Sequence, residues 1–107
     1  LPEVKLGIIP AAGATQTVPR AIGRSRALDM MISGDWINAH TALRYGLVNR
    51  VVRMDELQST VEKIAHRIAR HEVSAIRAVK QAINRGIDQP LQQGLEKEYI
   101  LARSLPS

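Results

Sequence analysis

The chain has 107 residues, 45% of them hydrophobic, with fifteen Lys plus Arg against ten Asp plus Glu, no Cys, no Phe, one Trp and two Tyr. At this length it is one small domain or a piece of a larger one, and its core rests on Ile, Leu, Val and Ala, which favours closely packed helices. The absence of Cys excludes disulfides and thiolate metal sites, and no apolar run approaches a membrane span, so the expectation is a soluble, cytoplasmic protein.

The formal charge of +5 raises the question of an anionic partner. Arg67, Arg70, Arg77 and Lys80 suggest a basic face, but no aromatic residues interleave with them to stack bases, so nucleic acid is not the expected partner.

In chain order, Val4, Leu6, Ile8 and Ile9 suit Leu1 to Pro10 to an extended edge or a buried connector that Pro10 ends. Ala11 to Ala14 form a small-residue turn, and Thr15 to Ile22 a short helix containing Pro19 and stopped by Gly23. Arg24 to Ser33 is a second helix, with Ala27, Met30 and Met31 facing inward and Gly34 at its end. Asn38 caps Ala39 to Tyr45, and Gly46 supplies a left-handed stop. Leu47 to Arg53, rich in Val, reads as a strand returning towards an extended Trp36-Ile37.

Asp55 and Glu56 open a long helix to about His71, whose apolar stripe is Leu57, Val61, Ile64, Ala65, Ile68 and Ala69. Ser74 is placed to cap a helix to about Arg85 that Gly86 closes. Pro90 suits the first turn of a last helix carrying Leu91, Leu95, Tyr99 and Ala102.

Most catalytic constellations are missing from this order. His66 and His71 are five apart and do not share a helical face, so no metal site is expected. No Ser or Thr has a recognisable His and acid partner, and no phosphate-binding glycine loop occurs. Glu3 remains, a few residues before a turn that leads into a helix mouth with uncapped N–H groups, a place where an acid can hold a water.

Three stretches add a resemblance. Pro2-Glu3-Val4-Lys5-Leu6-Gly7-Ile8-Ile9-Pro10 is followed by Gly13-x-Thr15-Gln16 and Pro19-Arg20-x-Ile22-Gly23, and then by Ile32-Ser33-Gly34-Asp35-x-Ile37-Asn38-Ala39-x-x-Ala42-x-x-x-Gly46-Leu47-Val48-Asn49. Together, in this order, they resemble the second half of the crotonase family, the enoyl-CoA hydratases and isomerases, from Leu1 to about Arg103. The resemblance implies a mostly helical chain with one or two short strands, the C-terminal part of the α/β crotonase fold without its β-rich N-terminal half. Residues 1–53 would be the end of the core and 54–107 a helical oligomerisation region, in a parent that is a trimer or hexamer. Beginning at Leu1 in mid-motif, the chain reads as a truncated or processed product.

Of site residues, the resemblance implies that Glu3 is the catalytic acid/base at the α-carbon of an acyl-CoA thioester, and that Ala11 and Gly13 help position water and substrate. A second glutamate and both oxyanion-hole donors would belong to the half that is not here, so the chain alone is expected to be inactive. Coenzyme A enters only as part of the substrate, with no other cofactor. The family's turn is usually Gly-Ala-Gly-Gly where this chain has Ala11-Ala12-Gly13-Ala14. A left-handed backbone at Ala11 or Ala14 would be strained, which leaves isomerase chemistry, with one proton shuttled and no water added, beside the hydratase reading. The alternative from another class is a non-catalytic helical module for oligomerisation or anion binding.

Overall fold

A computed structural model describes residues 1–106; Ser107, the last residue of the expected 54–107 region, lies outside the described residues. The chain is mostly helical and divides into two compact units, Leu1–Arg53 and Met54–Ser107.

The first unit opens with a turn of 3-10 helix, Glu3–Leu6, with no buried residue, where an extended edge or a buried connector is expected. Lys5 N–H donates to the Pro2 carbonyl (3.0 Å), Gly7 N–H to that of Val4 (3.1 Å) and Ile8 N–H to that of Glu3 (3.2 Å), while Gly7 closes the turn at φ 75°. With no strand alongside to reward extension, these local bonds decide the backbone. Helices α1 (Ala14–Ile22), α2 (Arg24–Ser33) and α3 (Ala39–Tyr45) follow as expected to within a residue. Pro19 lies inside α1 rather than in its opening turn, and so removes one helical hydrogen bond to the Thr15 carbonyl.

The α1–α2 packing holds the small core of Ile22, Ala27 and Met30, against which Val18, Ile37 and Tyr45 are half-buried. Tyr45 ties α3 to this core: the Arg26 guanidinium lies 4.5 Å from its ring centre, and Arg26 Nη1 also donates to the Arg44 carbonyl at 3.4 Å. Asn38 caps α3 as the sequence predicts, its Oδ1 accepting from the Thr41 N–H at 2.8 Å.

The expected strand pair does not form. Among the described residues there is no strand; Trp36-Ile37 and residues 50–53 are irregular. A two-residue partner offers too little ladder to hold Val51 and Val52 in a sheet, and Trp36 is 95% exposed.

In the second unit, a short 3-10 turn (Met54–Glu56) leads into α4 (Leu57–Ala69), followed by α5 (Val73–Gly86) and α6 (Leu91–Ser104). The expected cap at Ser74 is not one: Ser74 lies within α5, behind an extended Glu72. Gly86 likewise is not a left-handed stop, since α5 runs through it to a right-handed Ile87. Its role is proximity. A Cβ on Gly94 would lie 3.4 Å from the Gly86 carbonyl oxygen, and one on Gly86 3.5 Å from the Gly94 Cα, so the antiparallel α5–α6 pair crosses glycine on glycine.

Candidate functional site

Glu3 is the third residue of the ten-residue opening stretch, where Pro2 starts the turn and Gly7 stops it, so the side chain stands on a backbone closed by its own hydrogen bonds. The turn packs on α2. Its carboxylate is half-buried, and Oε2 is sealed from solvent without a hydrogen-bond partner. Such an oxygen is costly in the folded state unless something supplies a donor.

Ala11 and Gly13 lie in the turn before α1, Ala11 exposed and Gly13 half-buried. Positive φ occurs there only at Gly13 (102°); among the described residues no non-glycine has it, so Ala11 and Ala14 carry no backbone strain. The expected penalty for replacing the family's glycines is absent. The Gly13 carbonyl gathers the turn, accepting from Gln16 N–H (3.0 Å), Thr17 N–H (2.9 Å) and the Thr17 hydroxyl (3.1 Å). With glycine at the N-cap no side chain caps α1, which leaves its first N–H groups available at the helix mouth. No hydrogen bond joins the Glu3 carboxylate to Ala11 or Gly13 among the described residues.

The basic face is arranged differently from the one read in the sequence. Arg67 and Arg70 line a shallow cleft of about 440 Å³ with Lys63 and His66, three of them on α4 and Arg70 at its C-cap, whereas Arg77 and Lys80 belong to α5 and take no part. The signal for Lys63 and His66 was present as an i, i+3, i+4, i+7 spacing. His40, His66 and His71 are exposed, and no group of three or more His, Cys, Asp or Glu among the described residues is placed to hold a metal. No helix among the described residues is long and apolar enough to cross a membrane.

The model of the enoyl-CoA hydratase/isomerase family matches residues 1–107. A probable enoyl-CoA hydratase of Mycobacterium leprae is 41% identical over 103 residues, 96% of this chain and 40% of that protein. The crotonyl-CoA hydratase of Syntrophomonas wolfei is 42% identical over 97 residues, 91% of this chain and 37% of its own length. Among solved structures, an enoyl-CoA hydratase from Bacillus anthracis superposes with a TM-score of 0.94 at 41% identity, over 96% of this chain and 40% of that one. This chain thus spans about 40% of the length of the relatives it matches.

Proposed function

The chain belongs to the enoyl-CoA hydratase/isomerase family, the crotonases, and on that premise we propose that it is the C-terminal, helical part of a hydratase adding water to a trans-2-enoyl-CoA. Glu3 is the acid/base at the α-carbon. The observation that carries this reading is the Glu3 Oε2 atom, buried and without a partner on a fixed turn. Hydration puts a proton on the α-carbon and hydroxide on the β-carbon, so a carboxyl group held dry beside the α-carbon is what the step requires.

The developing enolate also needs two N–H donors, and the water a second carboxylate. By the resemblance those groups come from the part of the relatives that this chain does not span, so the chain alone does not turn over. Coenzyme A is present only as the thioester carrier. The parent works as a cytoplasmic homo-oligomer, trimer or hexamer; the exposed apolar residues Val79, Ile83 and Tyr99 of α5 and α6 support such packing.

The unstrained turn favours water addition over isomerisation, because Ala11 keeps its N–H in an ordinary backbone conformation. The purified 107-residue chain is expected to hydrate crotonyl-CoA no faster than buffer, and to restore hydration when it replaces the matched segment of the S. wolfei enzyme. A rate from the chain alone that Glu3→Gln abolishes would overturn its predicted inactivity. A graft that moves the double bond of a 3-enoyl-CoA but adds no water would establish the isomerase instead.

A second reading draws on the α4 cleft. Lys63, Arg67 and Arg70 put like charges three and four residues apart, which weakens a helix unless an anion lies between them. A helical anion-binding module predicts that inorganic tripolyphosphate binds the isolated chain, more weakly as salt rises, and that Arg67→Ala with Arg70→Ala removes the binding. Equal binding by the double variant would refute it.

A further inference from the structure

Gly34 and Gly46 close α2 and α3 in the same left-handed conformation, at φ 66° and 81°. Their surroundings differ. A Cβ at Gly46 would meet no heavy atom within 4 Å, whereas one at Gly34 would lie 3.0 Å from Cε, 3.2 Å from Cγ and 3.5 Å from Cδ of Lys5. Gly34 is buried although it ends a helix, and Lys5 sits in the turn that carries Glu3. Gly46 therefore needs only backbone freedom, while Gly34 also provides the slot in which the Lys5 stem lies.

We propose that Lys5 and Gly34 form a latch that seats the Glu3 turn on the C-terminal end of α2, and are thereby positioning residues for the Glu3 carboxylate. The proposal rests on the reading of Glu3 as the acid/base of the hydration. The turn's own hydrogen bonds fix its internal shape from Pro2 to Ile8 but not its place on the unit. That place is set by packing on α2, and at Gly34 the contact is made by methylenes laid along bare backbone. Glu3 and Lys5 share one tight turn, so a shift of Lys5 carries the Glu3 carboxylate with it.

The test is amide hydrogen exchange by NMR on the 107-residue chain, at a concentration where Thr17 N–H is protected and the first unit is therefore folded. Gly7 and Ile8 N–H report the Glu3 turn, and Thr17 N–H, bonded to Gly13 in α1, reports the rest of the unit. Asn tolerates the left-handed conformation, so Gly34→Asn and Gly46→Asn impose the same backbone demand and differ in whether they fill the slot. Gly34→Asn is expected to speed exchange at Gly7 and Ile8 about fivefold or more relative to Gly46→Asn, with Thr17 unchanged. Lys5→Ala does the same, and Lys5→Met, which keeps the stem, restores protection. Equal effects of the two Asn variants, parallel acceleration at Thr17, failure of Lys5→Met to restore, or an unprotected Ile8 in the unaltered chain would each overturn the latch. Exchange is read without substrate, so the latch can fail while Glu3 still serves hydration, and a Glu3 that proves dispensable for hydration leaves the exchange result in place.

Discussion

In the S. wolfei graft, Glu3→Gln lowers kcat for crotonyl-CoA hydration by about 10²–10⁴-fold and leaves KM within a small factor. The size is that of a positioned general acid/base. Gln keeps the shape and length of Glu, so the turn from Pro2 to Gly7 has no reason to move, but an amide can neither give up nor take a proton at neutral pH. A group that acts only while the proton is in flight contributes to the transition state and not to binding, which is why the loss falls on kcat. The ordinary structural role for a half-buried Glu predicts something else: a change in melting temperature with activity retained. A Gln graft as fast as the Glu graft would remove Glu3 from the mechanism.

The helices of the first unit are legible because their ends are local. Gly23, Gly34 and Gly46 stop them, Asn38 caps one, and Ala27 and Met30 face inward at helical spacing. What failed depends on distant chain. The Val-rich stretch after Leu47 has the composition of a strand but no partner strand, and Leu1 to Pro10 follows its Pro and Gly instead of its β-branched residues. Gly86 looks like a C-cap from its neighbours, yet its reason for being glycine sits on α6 at Gly94. The site divides the same way. Composition and spacing leave Glu3 an acid before a turn; the resemblance to the crotonases singles it out, and the contact between Lys5 and Gly34, far apart in sequence, leaves no local trace at all.

The second large effect concerns the chain in solution. Its first unit buries only Ile22, Ala27, Met30 and Ala42 among hydrophobic residues, and none of α4, α5 or α6 has a buried residue. Leu6 (77%), Ile9 (65%) and Leu91 (78%) stand in solvent. Units of this size need a core or a staple to fold alone, and this chain has neither disulfide nor metal cluster among its described residues. The apolar faces of α5 and α6 are then expected to find cover on other copies. Raising the concentration a hundredfold is expected to raise the melting midpoint by about 10 °C or more, because association stabilises the folded form by mass action. At the dilute end the melt should be broad, and sedimentation should show assemblies growing with concentration. A sharp melt whose midpoint ignores concentration, from a chain that sediments as a monomer, would mean that each unit holds itself together on the core it has, and would favour the independent helical module over a part shaped to lie against the rest of a crotonase.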